Sequence, residues 1–157
     1  MEGWRNIMKL AEALQERADL NTKISELRSR LYDNAVVQEG EKPAEDPSEL
    51  LTELDKAAER LYELISRINL TNCATKADGV SLTELIAKKD VLKARIGAYR
   101  DLISAGSQTA RRASRTEIKI LSAVDVPALQ KKSDELSREL RLTDNRIQEL
   151  NWTTELK

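Results

Sequence analysis

The stretch LAEALQERADLNTKISELRSRL, residues 10–31, decides the fold. Within it Leu10, Ala13, Arg17, Leu20, Ile24, Leu27 and Leu31 recur at alternating intervals of three and four, the spacing that gathers side chains on one face of an α-helix. A helix from Met8 to Asn34 would be a rod on the order of 40 Å long. Such a rod cannot bury its apolar stripe alone and needs partners of similar length. Arg17 interrupts the stripe, either at the seam edge with its stem packed and its head in water or as a buried, paired charge that fixes register.

Three further stripes supply those partners. Asp46-Pro47-Ser48-Glu49 reads as a helix start, with Asp46 as N-cap and Pro47 at the first helical position. Leu50, Leu54, Ala57, Leu61, Leu64 and Ile68 follow, and Leu51, Ala58 and Ile65 widen this second stripe beyond what one neighbour covers. Ser81-Leu82-Thr83-Glu84 is a capping-box pattern ahead of Leu82, Leu85, Leu92, Ile96, Tyr99 and Ile103. Gly97 lies inside this third helix between Ala94 and Ala98; a mid-helix glycine costs about 1 kcal/mol relative to alanine, which predicts a close helix crossing there. Pro127 opens the fourth helix, with Leu129, Ser133, Leu136, Leu140, Thr143, Ile147 and Leu150 on one face.

The linking segments are polar, with two β-prone runs. Ala35-Val36-Val37-Gln38-Glu39 is one, and the alternation of Ile118, Ile120, Val124 and Val126 with Lys119, Leu121, Ala123 and Asp125 is the other. A lone strand cannot satisfy its own backbone. The expected fold is therefore mainly α, an antiparallel four-helix bundle or long helical hairpins, with a small β element from strands near 35–39 and 117–124 and the tail 152–156 as a further candidate. Residues 8–157 are expected to form a single helical domain, with 1–7 as a leader or upstream extension.

Composition narrows the function classes. Charged residues make up 34 % of the chain at a net charge of −1, whereas a nucleic-acid footprint shows as a basic excess. The charge is unevenly placed. Glu39 to Arg67 holds nine acidic and four basic side chains, a net of −5, and Lys76 to Lys119 holds ten basic and five acidic, a net of +5. These are either complementary helices that select one another or two solvated faces of opposite sign. With 3 % aromatic residues and no Phe, the core must be built from Leu, Ile and Ala. One cysteine, Cys73, permits no internal disulfide, which favours a reducing compartment. No run approaches the roughly 20 apolar residues of a membrane helix. The expectation is a cytoplasmic protein that binds neither nucleic acid nor membrane.

The absence of His removes the commonest general base and metal ligand, and no phosphate loop, nucleophile elbow or paired-cysteine motif is present. Glu12 with Glu16, and Glu59 with Glu63, stack at helical spacing, as they do on any solvated helix face. No catalytic residue, metal site or cofactor is expected. What remains are polar residues at element ends. Gln38, Glu39, Arg112, Arg115 and Lys119 form a candidate ligand or anion site at the pole where the first–second and third–fourth connections would meet, with Arg and Lys as donors. Asn69, Asn72, Asn151 and Trp152 form a candidate interaction surface at the other pole. Trp152 is expected to be packed on a bundle end or a second subunit, because exposing it forfeits on the order of 2 to 3 kcal/mol of burial.

Several of these segments carry a resemblance. Met8-Lys9-Leu10-Ala11-Glu12-Ala13-Leu14, Val37-Gln38-Glu39-Gly40-Glu41, Glu45-Asp46-Pro47, Ile68-Asn69, Thr71-Asn72, Glu117-Ile118-Lys119, Val124-Asp125-Val126, Ile147-Gln148-Glu149 and Asn151-Trp152 together resemble the septicolysin-like family of small bacterial proteins. The resemblance implies a pore-forming cytolysin but brings no catalytic residues. The apolar residues, spaced for helix packing rather than gathered into an insertable run, point instead to a non-enzymatic, self-associating coiled-coil protein. A cytolysin and a small-ligand or anion-binding protein are the alternatives.

Overall fold

The computed structural model describes residues 7–109 and 118–157. The chain is mainly helical: α1 (Leu10–Asp33), α2 (Pro47–Ala74), β1 (Lys76–Ala77), β2 (Val80–Ser81), α3 (Leu82–Gly106) and α4 (Val126–Thr153). It divides into two compact units, Met1–Ser81 with Leu150–Lys157, and Leu82–Glu149. Arg112 and Arg115, and the expected leader apart from Ile7, lie outside the described residues.

In the first unit α1 and α2 run antiparallel. Leu10, Ala13 and Leu27 of α1 and Leu50, Ala57, Leu64 and Ile68 of α2 are buried, which is the stripe pairing the sequence predicts. Ion pairs mark the register along one edge: Glu16 with Arg60, Lys23 with Glu53 and Arg30 with Glu45, each one heptad beyond the last on α1. Arg17 stands half-buried at the edge of the seam. Asp46 caps α2, accepting the Ser48 N–H at 2.8 Å ahead of Pro47.

The connection between these helices is not a strand. The Asn34 amide donates to the Arg30 carbonyl at 2.8 Å, and its side-chain oxygen accepts the Glu45 N–H at 2.9 Å. Arg30 Nε reaches Glu45 Oε2 at 2.9 Å. These bonds tie the loop back across Gly40, whose φ of +87° requires glycine. Val36 and Val37 are exposed, so the β-prone run has no apolar surface to pair against. Residues 118–124 are likewise irregular, and in the tail only Glu155 forms a bridge, with Lys9. The β element lies elsewhere: β1 and β2 pair antiparallel, Lys76 opposite Ser81 and Ala77 opposite Val80. They are joined by Asp78 and Gly79 at φ of +54° and +82°, the two positive angles that an Asp-Gly hairpin turn supplies.

In the second unit Leu92 and Ile96 of α3 pack with Leu136 of α4, flanked by Tyr99 and Leu140. Lys88 pairs with Glu139 at 2.8 Å and Lys89 with Asp144. Asp125 caps α4 by accepting the Ala128 N–H at 3.0 Å, one residue earlier than a start at Pro127 implies. The polar Ser133 and Thr143 sit on the buried face of α4.

The two glycines of α3 play opposite roles. A Cβ on Gly97 would meet nothing within 4 Å, so the close crossing expected there is not made by the described residues. A Cβ on Gly106 would stand 2.7 Å from Val124 Cγ2 and 3.1 Å from Ser122 Oγ, so the segment leading into α4 lies against the end of α3 only because Gly106 lacks one. Gly97→Ala should therefore stabilise the protein by about 1 kcal/mol, and Gly106→Ala should destabilise it by roughly 1 to 3 kcal/mol through overpacking. Chemical denaturation of both variants checks the pair; equal shifts would contradict the geometry.

Candidate functional site

Within the second unit, the face shared by α3 and α4 carries a groove of about 650 Å³. Lys89, Lys93, Ile96, Gly97 and Arg100 line it from α3, and Ser137, Leu140, Arg141 and Asp144 from α4. Helical spacing puts the α3 residues on one flank, because each lies three or four positions, or one residue, from the next. The floor is apolar, from Ile96 and Leu140, and the missing side chain of Gly97 holds it open. One end is neutralised by the Lys89–Asp144 ion pair. The hydrogen bond from Lys89 is the main cause that holds the Asp144 carboxyl below its usual range, with Gln148 and the Lys93 charge adding to it. Lys93, Arg100 and Arg141 carry no hydrogen bond or ion pair among the described residues. The groove thus sets Lys93, Arg100 and Arg141 around an apolar floor.

None of the candidate site residues named from sequence lines this groove. Gln38 and Glu39 are exposed in the α1–α2 connection of the first unit, and Lys119 is exposed ahead of α4 in the second. Arg112 and Arg115 fall outside the described residues. The groove cations were legible only as members of a basic helix. Nothing local marks them until the α3–α4 register is known.

Asn69, Asn72, Asn151 and Trp152 do fall in one unit, but their neighbours do the joining. The tail crosses the open end of the first hairpin. The Leu10 N–H donates to the Thr154 carbonyl and the Leu156 N–H to the Met8 carbonyl, both at 2.9 Å. The Lys157 N–H donates to Thr71 Oγ1 at 3.0 Å, and Arg67 Nε donates to the Lys157 carbonyl at 2.8 Å. Leu156 is buried with Thr71 and Asn151, whereas Asn69 is exposed and Asn72 half-buried. Trp152 is 65 % exposed, so within the chain the expected aromatic plug is not formed, and Leu156 takes that place. The available signal was Thr71, a polar residue one turn after Ile68 on the buried face of α2.

Among the described residues, two helices keep an apolar face exposed. On α2, Leu51, Ala58, Tyr62 and Ile65 are exposed, beside the buried stripe. On α3, Ala87, Val91, Ala94, Ala98, Leu102 and Ala105 are exposed; at 100° per residue they fall within one narrow arc, on the side away from Leu92 and Ile96. Among the described residues no three acidic or sulfur ligands gather as a metal site, and no helix is long and apolar enough to cross a membrane. Cys73 is exposed.

The chain belongs to the family of unknown function DUF6847, matched over residues 17–156. A solved structure, described as a functionally unknown conserved protein from Corynebacterium diphtheriae, is similar to it with a TM-score of 0.90 at 41 % identity, covering 97 % of this chain and 100 % of that one. No curated protein matches. Neither the family nor the solved structure carries the septicolysin-like name.

The ion pairs give a pH prediction. Arg60 holds Glu16 below its ordinary 4.5, Arg30 holds Glu45 down and Lys88 holds Glu139 down, in each case chiefly by a hydrogen bond. A carboxyl whose folded pKa is depressed adds stability that is complete above its unfolded value and lost as the pH falls through the folded one. The melting temperature should hold from neutrality to about pH 5 and fall below about 4.5. Glu16→Gln should start lower and fall less, and an acid limb unchanged in that variant would contradict the assignment. For the tail, Leu156→Ala should cost about 2 to 3 kcal/mol and Trp152→Ala less than about 0.5 kcal/mol, measured at a protein concentration where mass is unchanged. A reversed order would place the tail's anchor at Trp152.

Proposed function

We propose that this is a non-enzymatic helical protein that associates with further copies of itself. One observation carries the reading: α3 is apolar on two faces, and only the face bearing Leu92 and Ile96 is buried. A helix apolar on both sides belongs between two neighbours. Val91, at 59 % exposure, and the alanines around it make a surface smooth enough for a second helix to approach closely. The α2 stripe, with Tyr62 at 74 % exposure, supports the same reading, since a contiguous exposed apolar face marks an interaction surface. The lytic reading implied by the septicolysin-like resemblance gains no observation of its own.

Light scattering and native mass spectrometry at micromolar concentration test this. The expected mass is a multiple of 17.7 kDa. Val91→Glu and Leu102→Glu change exposed positions and should leave the helical content intact while weakening association by about tenfold or more. A parent protein that stays monomeric over this range would overturn the proposal.

A further inference from the structure

The groove on the α3–α4 unit assembles four like charges around one carboxylate, Asp144. Lys89 and Lys93 stand at i and i+4 on α3, a spacing at which like charges destabilise a helix by a few tenths of a kcal/mol. Lys89 is answered by Asp144, whereas Lys93, Arg100 and Arg141 add further positive charge to the same concavity. Their arrangement is specific. Lys93 and Arg141 each stand about one turn in from the Lys89–Asp144 pair, and Arg100 stands two turns beyond Lys93, on the order of 10 Å along the helix axis. Between these positions lies the floor of Ile96, Leu140 and the open space over Gly97. Two of the three cations are arginines, whose planar forks bind carboxylate and phosphate in two-point fashion. A volume of about 650 Å³ suits a small organic molecule.

We propose that this groove binds a small dianion, with two carboxylate or phosphate groups separated by an apolar spacer. One acidic group sits with Lys93 and Arg141, the other with Arg100, and the spacer lies on Ile96 and Leu140 across Gly97. This is independent of self-association, which uses the opposite side of α3.

Titration calorimetry on the full chain tests it with four probes: suberate, octanoate, octanediol and inorganic phosphate. Suberate should bind saturably, octanoate about tenfold more weakly, and octanediol and phosphate more weakly still. Arg100→Gln or Arg141→Gln should reduce suberate to the octanoate level. Gly97→Leu should block suberate by filling the floor, while the melting temperature stays at or above that of the parent because leucine is the better helix former. Phosphate binding as tightly as suberate and surviving Gly97→Leu would show scattered surface cations and overturn the proposal. Octanediol matching suberate, or no saturable heat from any probe, would overturn it as well.

Discussion

The antiparallel register of α1 against α2 is the constraint on which the first unit depends. It is written twice, once in the buried leucines and once in the heptad-spaced pairs Glu16–Arg60, Lys23–Glu53 and Arg30–Glu45. The pairs are half-exposed and contribute little stability each. Their signs matter more. A shift of one heptad would bring Glu16 towards Glu53 in one direction and Lys23 towards Arg60 in the other, so the ladder selects against such slips, as edge charges do in coiled coils. The same ladder continues to Lys9, which pairs with Glu155 of the tail, and so extends the alignment to the last residues of the chain.

That final pairing solves a backbone problem. The first turn of α1 has amide donors that no intrahelical carbonyl can take, and Lys9, its N-cap, has no side-chain oxygen to offer. Glu12 accepts the Lys9 N–H at 2.7 Å, and the Thr154 carbonyl accepts that of Leu10. Thr71 fits the same logic from α2: its hydroxyl donates to the Arg67 carbonyl at 2.8 Å and accepts from Lys157, which is why a polar side chain is tolerated fully buried. Leu156 supplies the apolar cover that Trp152 does not.

How much of this is legible in the sequence follows from the range of each signal. The four helices, the Asp46 cap and the wide α2 stripe are periodic or local, and they are readable from residues within a turn or two. The Asp-Gly turn at Asp78-Gly79 is also local, but its strands are two residues each, too short to show alternation. Val36-Val37 and Ile118–Val124 mislead for the converse reason: β-branched composition is present without a partner strand among the described residues. Gly97 misleads because a mid-helix glycine reports only that a side chain is missing. Whether a helix or an open groove fills that space depends on α4. The candidate site is less legible still, since Arg100 and Arg141 are distant in sequence and become neighbours of one concavity only through the Leu92, Ile96 and Leu136 contact.

The two units also differ in how they treat charge. In the α1–α2 hairpin Lys23, Arg30 and Arg60 are matched by carboxylates across the seam, and the exposed face of α2 is apolar with Tyr62 and Ile65. In the α3–α4 hairpin the seam has two matched pairs, Lys88–Glu139 and Lys89–Asp144, and then Lys93, Arg100 and Arg141, which make no hydrogen bond or ion pair of their own among the described residues. Stability alone would favour a carboxylate opposite Arg100 or Arg141, because an answered charge costs less than a cluster of one sign. The matched pairs thus bear on the register of the α3–α4 hairpin, and the cations without an ion pair stand around the apolar floor of Ile96 and Leu140.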